Sequence, residues 1–231
     1  MSLPDPDRRV METAYARWAP FYDAICGPFF NAGRRAATAA AMKVGGRVLE
    51  IGVGTGLSFA DYDSRTEVVG IDFSAPMLAK ARARLQSGQY AHVKCVQLMD
   101  AHDLAFPDDS FDCVVAQFVI TLVEDPERVL SECARVVRPG GEIILVNHLY
   151  SERGLSAALE RALAPRLRTF GLRPEFPFLR LAAWAQARGD IELVERRRLS
   201  PFGVYTLVRF RRGAAQRAAP TRQEAEVSSF G

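Results

Sequence analysis

In Val48-Leu49-Glu50-Ile51-Gly52-Val53-Gly54-Thr55-Gly56, a short apolar run passes directly into three glycines at alternate positions. An apolar run of this length that ends in glycines predicts a buried strand followed by a tight loop. Glycine allows sharp turns and lets a ligand approach the backbone closely. The G-x-G-x-G spacing differs from the G-x-G-x-x-G spacing of dinucleotide-binding loops. The stretch therefore predicts a ligand-binding unit of strand and loop, with the acid Glu50 just before the first glycine.

Strand and helix patterns alternate through the following hundred residues. Short runs rich in Val, Ile and Phe predict strands, and helix signals stand between them, such as Ser74 followed by Pro76. This alternation is typical of a parallel sheet with helices on both faces, whose ligands bind beyond the carboxyl ends of the strands. The predicted strands are 47–51, 67–71, 91–98, 111–118 and 142–147, and the predicted helices are 75–86 and 126–137, the second ended by Pro139-Gly140-Gly141.

The pattern changes on either side of this region. Residues 6–42 indicate helices, with breaks near Pro20 and at Gly27-Pro28. After residue 150, helical segments precede a closing strand pair, and the end of the chain has little to bury, so we expect it to be disordered. The helical segments are 155–169 and 178–187, and the strands are 191–199 and 204–211. We therefore divide the chain into an N-terminal helical lid (1–45), an α/β core (46–150), a basic helical insertion with closing strands (151–212) and a tail (213–231).

Length and composition suit one globular domain with an added segment. The chain has 231 residues, of which 48% are hydrophobic. No apolar run approaches the ~20 residues that a membrane-spanning helix needs, and the N-terminus lacks an apolar signal region, so we expect a cytoplasmic protein. The four cysteines show neither metal-ligand nor redox spacing, which indicates buried thiols and no metal site. They are Cys26, Cys95, Cys113 and Cys133.

Charge is distributed unevenly along the chain. Residues 1–150 carry a net charge of −4 and residues 151–231 a net charge of +7, which together give +3. The basic part contains arginine but no lysine, and the planar guanidinium suits phosphate recognition. An anionic partner near this part is therefore expected, and by charge alone nucleic acid and a membrane surface both fit.

Two acids stand at the ends of the strands that follow the glycine loop. Asp72 follows the second predicted strand, where an acid can accept hydrogen bonds from both ribose hydroxyls. Asp100 follows the third and is placed to accept one from an adenine amino group. As single residues, both would more often be helix caps or turn residues. Together with the glycine loop, they indicate an adenosine pocket.

These segments resemble the motifs of class I S-adenosylmethionine-dependent methyltransferases. Glu50 to Gly56 is similar to their motif I, Asp100 to Asp112 to their D-A-x-x-L-P-F-x-D-x-S-F-D segment, and Glu132 to Gly141 to the helix and turn before their fifth strand. The likeness runs from about residue 15 to 150. It implies a Rossmann-like fold with a mostly parallel seven-stranded sheet, an antiparallel last strand and N-terminal lid helices.

The resemblance also implies the cofactor and the residues that hold it. The cofactor would be S-adenosylmethionine, giving S-adenosylhomocysteine as product, with no metal. The three glycines would face the methionine moiety and Glu50 would hold its amino group, directly or through water. The other implied contacts are Asp72 at the ribose, Phe73, Met77, Asp100 and Ala101 around the adenine, Gln117 at the methionine end, and Tyr15 folded over the cofactor from the N-terminal helix. His92 and His102 are assigned to structure and to the adenine rim.

Membership of this superfamily does not by itself name the methyl acceptor. Residues 15–23 resemble two groups, the bacterial phospholipid N-methyltransferases of the Rhodobacter type, which convert phosphatidylethanolamine towards phosphatidylcholine, and the ubiquinone/menaquinone C-methyltransferases. Residues 146–150 resemble the phospholipid enzymes, and the arginines after residue 150 suit a phosphodiester. The segment 155–184 mixes Leu, Phe and Trp with Arg, which suits a helix lying on an anionic lipid surface as well as one packed on its own domain.

We therefore expect a phospholipid substrate, an anionic membrane surface as partner, peripheral attachment to the inner face of the cytoplasmic membrane, a monomer and no nucleic acid. Tyr22 and His148 would line the acceptor site, with Tyr150 nearby, although His148 could instead orient the phosphate or cap its strand. Two other hypotheses are a quinone C-methyltransferase and a non-catalytic basic RNA- or membrane-binding module. The module leaves the glycine loop unexplained. The arginines predicted to bind phosphate are Arg180, Arg197 and Arg209, with Arg196 and Arg198 as further candidates.

Overall fold

The computed structural model describes residues 22–149, 176–199 and 205–213, with side chains from residue 30 onward. Tyr15, Tyr150, the predicted helix at 155–169 and the predicted tail beyond residue 213 lie outside the described residues. The helices are α1 (Tyr22–Val44), a 3₁₀ helix (Leu57–Asp61), α2 (Ala75–Leu85), α3 (Pro126–Val136) and α4 (Phe178–Arg188). The strands are β1 (Gly46–Ile51), β2 (Thr66–Asp72), β3 (Val93–Leu98), β4 (Phe111–Gln117), β5 (Val137–Asn147), β6 (Ile191–Leu199) and β7 (Tyr205–Arg212).

The strands form one sheet in the order β3-β2-β1-β4-β5-β7-β6. The pairs from β3 to β5 are parallel, whereas β7 runs antiparallel to both of its neighbours. The predicted mostly parallel seven-stranded sheet with an antiparallel last strand is therefore confirmed. Strand order reverses beside β1, whose neighbours are β2 and β4. A crevice consequently opens beyond the carboxyl ends of these strands, where ligands of such sheets bind.

Hydrophobic side chains alternate between the two faces of the sheet. Leu49 and Ile51 belong to a core layer shared with α3 and α4, while Val48 belongs to the layer under α1 and α2. The period of two along each strand produces this division. The central strand β4 is buried along nearly its whole length, as its apolar sequence predicts. The two layers hold the carboxyl ends of the central strands in fixed positions.

Two elements differ from the predictions by more than two residues. Helix α1 continues through Gly27-Pro28 to Val44. Proline removes one backbone hydrogen bond, but the long helix packs against the sheet through buried residues such as Ala37 and Ala41, which stabilises it as a unit. Strand β5 begins at Val137 and includes Pro139-Gly140-Gly141, because its first residue already pairs with Phe111 across a register shift.

Two predictions from the composition concern buried thiols and membrane-spanning helices. Cys113 and Cys133 are buried and Cys95 is partly buried, all as free thiols. Burial raises the pKa of Cys133 to about 12, so this thiol stays protonated. Among the helices of the described ranges, none combines the length and the apolar character that crossing a membrane requires.

Candidate active site

The glycine loop after β1 depends on backbone conformations that other residues rarely adopt. Gly52, Gly54 and Gly56 have φ angles of 70°, 57° and 80°, in the left-handed region. A Cβ atom at Gly52 would lie 2.2 Å from Val119, and one at Gly56 would lie 2.3 Å from Phe59. A Cβ at Gly54 would have no heavy atom nearer than 4.0 Å. Gly54 is therefore the point where the backbone faces open space.

Asp72 at the end of β2 holds this loop in place. Its carboxylate accepts hydrogen bonds of 2.8 Å from the backbone N–H groups of Gly54 and Ser74. Burial raises the pKa of Asp72, and the backbone hydrogen bonds oppose that rise. A carboxylate with two oxygens can accept further hydrogen bonds from ligand hydroxyls. The predicted ribose ligand is thus built into the same network as the predicted methionine-binding loop.

Glu50 and Gln117 meet at the carboxyl ends of β1 and β4. Gln117 Nε2 donates a hydrogen bond of 3.2 Å to Glu50 Oε1, and Glu50 is only 3% exposed. Within the described residues, Glu50 Oε2 has no hydrogen-bond partner. Burial raises the pKa of Glu50 to about 7, while the nearby hydroxyls of Ser58 and Tyr62 oppose that rise. A buried carboxylate oxygen that lacks a donor suits the ammonium group of an amino acid.

A cleft at the carboxyl edge of the sheet brings together most of the predicted cofactor residues. Glu50 and Gly56 do not line it, whereas the lining residues come from the ends of β1 to β4 and, for Met77, from α2. At the far end from Gln117, His102 Nδ1 lies 2.7 Å from Asp100 Oδ1. The predicted residues that line the cleft are Gly52, Gly54, Asp72, Phe73, Met77, Asp100, Ala101 and Gln117.

Sequence reasoning missed the apolar wall of this cleft. Phe118, Val119, Leu122 and Val123 line it, and all lie in the loop after β4. Phe118 has a φ of 59°, which is rare for an aromatic residue and typical of strained positions near functional sites. The sequence could have indicated this wall, because the loop that carries it follows a strand end at the same edge of the sheet as the glycine loop.

An aromatic cluster formed by Phe30, Phe118 and Tyr205 adjoins the cleft. The ring centroids of Phe30 and Phe118 are 4.4 Å apart, and those of Phe118 and Tyr205 are 4.9 Å apart. The cluster joins α1, the end of β4 and the start of β7. Gly33 makes the approach possible, because a Cβ there would lie 2.6 Å from the Phe118 ring. None of these contacts was predicted from the sequence.

The predicted acceptor residues are described only in part. His148 directly follows β5, at the same edge of the sheet as Gln117. Tyr22 begins α1, although the described side chains start at residue 30. Tyr15 and Tyr150 lie outside the described residues. The roles of these four residues therefore stay predictions.

Each arginine predicted to bind phosphate has a carboxylate partner in the protein. Arg209 is the most buried of them, with a side chain 17% exposed, and it bonds to Glu142 at the amino-terminal part of β5, away from the cleft. These ion pairs favour a role in holding the outer strands and α4, and phosphate binding by the three arginines stays a prediction. The pairs are Arg180 with Glu127, Arg197 with Glu195, and Arg209 with Glu142 and Glu195.

The cleft fits S-adenosylmethionine in the chemistry of its walls. Asp72 and Asp100 line it together with apolar side chains, and Glu50 is hydrogen-bonded to the lining residue Gln117, so acids are available for an ammonium group, ribose hydroxyls and an adenine amino group. No group of His, Cys, Asp and Glu suited to a metal ion occurs in the part of the chain that the structure describes.

Comparison with known proteins agrees with this site. Residues 49–145 match the family model of the methyltransferase domain. The chain is 45% identical over 199 residues to phosphatidylethanolamine N-methyltransferase of Cereibacter sphaeroides, covering 86% of this chain and 96% of that protein. It is 32% identical to demethylmenaquinone methyltransferase of Thermus thermophilus, covering 68% of this chain and 74% of that protein.

A solved structure shares the fold. Phosphoethanolamine N-methyltransferase 2 of Haemonchus contortus, in complex with S-adenosyl-L-methionine, superposes with a TM-score of 0.60 at 19% identity, over 79% of this chain and 53% of that one. At this identity the likeness concerns the fold alone. The near full-length sequence match carries more weight, since it includes the glycine loop, both strand-end acids and the segments around them. The chain therefore belongs to the class I S-adenosylmethionine-dependent methyltransferases and, among them, to the family of the Cereibacter phosphatidylethanolamine N-methyltransferase.

Proposed function

We propose that this methyltransferase acts on the amine of phosphatidylethanolamine and of its mono- and dimethyl derivatives, towards phosphatidylcholine, at a membrane surface. One observation carries the proposal. The alignment with the Cereibacter enzyme covers 96% of that protein at 45% identity, so it includes the regions outside the cofactor core that would receive the acceptor. The demethylmenaquinone relative is less similar, at 32% identity over 68% of this chain.

The residues of the cleft support a partner for each part of the cofactor. When bound, S-adenosylmethionine supplies an activated methyl group. Glu50 and Gln117 would orient its amino acid end, and Asp72 its ribose. Val119 and Leu122 in the lining would keep water away from the bound cofactor. Holding the two reactants in line can contribute ~7–11 kcal/mol to the lowering of the barrier.

The acceptor side would have to accommodate an amine that becomes progressively methylated. A free alkyl amine, with a reference pKa of ~10.4 for lysine, is mostly protonated near neutral pH, and burial favours its neutral form. His148, Tyr22 or a water would then accept the proton. The aromatic cluster of Phe30, Phe118 and Tyr205 supports this acceptor, because aromatic faces attract methylammonium cations by about 0.5–2 kcal/mol.

Membrane attachment is the second part of the proposal. The edge strand β6 exposes three consecutive arginines, Arg196 to Arg198, and Leu193 on the same strand is 44% exposed. Each basic residue near an anionic bilayer contributes about 1 kcal/mol of attraction. We infer a monomer that attaches peripherally to the inner face of the cytoplasmic membrane. The net charge of +7 over residues 151–231 supports this inference.

A direct assay separates the two lipid acceptors. The purified chain is incubated with labelled S-adenosylmethionine and with liposomes that contain phosphatidylethanolamine, or with a demethylated quinol in the same lipid background. Mass spectrometry of the extracted lipid should show mono-, di- and trimethylated headgroups. The Gly54→Arg variant, which fills the cleft, should produce none. Transfer to the quinol alone would replace this proposal with the quinone C-methyltransferase hypothesis.

A second assay tests attachment to anionic membranes. Activity should rise with the phosphatidylglycerol content of the liposomes and fall with added salt, since surface charges are screened within ~8 Å at physiological ionic strength. Zwitterionic detergent micelles provide the control in which neither effect is expected. Activity that ignores both lipid charge and salt would contradict the membrane attachment and leave the methyltransferase assignment unaffected.

A further inference from the structure

The loop after β3 is joined to the start of α3 through the side chain of His102. Asp100 Oδ1 accepts two hydrogen bonds from His102, one of 2.9 Å from its backbone N–H and one of 2.7 Å from the ring atom Nδ1. The opposite ring atom, Nε2, accepts a hydrogen bond of 3.3 Å from the backbone N–H of Asp125. The imidazole therefore bridges the carboxylate of one cleft loop and the backbone of another.

This arrangement assigns the tautomer of His102. A backbone N–H can only donate, so Nε2 must carry a lone pair. In a neutral imidazole the proton then lies on Nδ1, where it is donated to Asp100. Two donors on a single oxygen fix the plane of the carboxylate and leave its rotation little freedom.

The Asp125 end of this bridge is also held in place by hydrogen bonds. Asp125 caps α3, since its Oδ1 accepts a hydrogen bond of 3.0 Å from the backbone N–H of Arg128. Arg128 Nε in turn donates a hydrogen bond of 2.8 Å to the carbonyl oxygen of His102. The position of Asp100 thus depends on a helix terminus that is remote in sequence.

We propose that His102 is a positioning residue for nucleobase recognition, which directs the carboxylate of Asp100 towards the 6-amino group of the adenine. Asp100, Ala101 and His102 all line the cleft at its adenine end. A carboxylate accepts hydrogen bonds but cannot donate, so it distinguishes a 6-amino group from a 6-oxo group. The inference rests on S-adenosylmethionine binding by this family and applies whichever lipid is methylated.

Calorimetric binding of two ligands tests the proposal without any acceptor. The ligands are S-adenosylhomocysteine and S-inosylhomocysteine, in which a 6-oxo group replaces the 6-amino group. The wild-type chain should prefer the adenosyl ligand by about tenfold or more, as expected for a hydrogen bond to a charged group. The His102→Ala variant should lose most of this preference through weaker adenosyl binding, with little change for the inosyl ligand.

Two further variants separate positioning from general stability. His102→Asn retains a side-chain N–H close to the place of Nδ1 and should restore much of the preference. His92→Ala removes a histidine in another loop, whose Nε2 lies 2.9 Å from the Phe59 carbonyl oxygen outside the cleft, and should leave the preference unchanged. Equal weakening of both ligands by His102→Ala, or no wild-type preference, would overturn the proposal. Failure of the wild type to bind either ligand would instead contradict the cofactor assignment.

A measurement on the wild-type chain covers the case in which His102→Ala does not fold. Long-range ¹H–¹⁵N spectra of the histidine rings report which nitrogen carries the proton. His102 should show the Nδ1–H form, with and without S-adenosylhomocysteine. An Nε2–H form would leave Asp100 without its ring donor and would likewise overturn the proposal.

Discussion

Gln117 Nε2 donates to Glu50 Oε1 across 3.2 Å, which links the carboxyl ends of β4 and β1 in a buried position behind the glycine loop. The two residues are 67 positions apart in the chain. This contact orients one oxygen of the carboxyl group, while the other, Oε2, finds no donor among the described residues. Stability and ligand binding therefore favour opposite protonation states of Glu50, since burial favours its neutral form and an ammonium ligand favours its charged form.

Unfolding free energy should depend on pH through Glu50. Its pKa is raised from 4.5 to about 7 in the folded chain, chiefly by burial, which the hydroxyls of Ser58 and Tyr62 oppose. The stabilising contribution is complete below pH 4.5 and is lost as the pH rises through about 7, with a magnitude of about 3 kcal/mol. Glu50→Gln should remove this dependence, which urea unfolding at pH 5 and pH 8 would measure.

The same variant should bind S-adenosylhomocysteine poorly, because it cannot carry the negative charge that attracts the ammonium group. Glu67→Gln serves as the control, since Glu67 is a half-exposed glutamate on β2 with a side chain 49% exposed. It should alter neither the pH dependence nor the affinity. A Glu50→Gln chain that is no more stable than the wild type at pH 8 would show that the carboxyl group is not disfavoured by burial.

Substitutions at two glycines of the loop should separate binding from folding. Gly54→Ala meets open space and should cost only the ~1–2 kcal/mol of a left-handed residue, while its methyl group reduces S-adenosylhomocysteine affinity by about tenfold or more. Gly52→Ala adds a contact of 2.2 Å with Val119 and should cost roughly 3 kcal/mol or more in stability. Thermal unfolding and calorimetry measure the two effects, and an unstable Gly54→Ala chain would contradict this division.

Replacing Gly33 should destabilise the chain chiefly through the contact with Phe118. In a helix interior, alanine normally stabilises by about 1 kcal/mol relative to glycine. At Gly33 the added Cβ would lie 2.6 Å from the Phe118 ring and 2.9 Å from Val146, and Phe118 is held between Phe30 and Tyr205. We expect Gly33→Ala to cost about 1–3 kcal/mol in the wild type.

The Phe118→Ala background provides the matched test. There the same Gly33→Ala change should cost less, because only the contact with Val146 remains, which a double-mutant cycle in urea would show. An equal cost in both backgrounds would mean that the clash with Phe118 is absent in solution.

Arg209 should contribute to stability more than to substrate binding. It bonds to Glu142 at 2.7 Å, and the Glu142 side chain is only 6% exposed. Arg209→Met leaves a buried carboxylate with one weaker partner, Arg211 at 3.1 Å, and should cost roughly 3 kcal/mol. Arg197→Met, at a side chain that is 54% exposed, should cost less than about 1 kcal/mol. A higher KM for lipid in a fully stable Arg209→Met chain would instead support phosphate binding.

Most elements of the core could be predicted from local sequence. The predicted strands 47–51, 67–71 and 142–147 fall within β1, β2 and β5, because short apolar runs bounded by polar residues or glycine have few alternative structures. The start of β5 was missed, since pairing with β4 extends the strand into residues that locally favour a turn. The continuous helix α1 was missed for a related reason, as packing on the sheet outweighs the local effect of Gly27-Pro28.

The amino-acid sequence by itself determined the glycine bend and the two strand-end acids, and with them an adenosine pocket, because these depend on backbone conformation and short-range spacing. The resemblance of these segments to class I methyltransferases then implied S-adenosylmethionine. Only the tertiary structure decided which side chains meet. The fold brings Gln117 to Glu50 and His102 to Asp125, and it pairs Arg209 with Glu142 in the outer strands. Contacts between residues that are distant in the chain follow from strand order and helix packing, and no local pattern in the sequence encodes them.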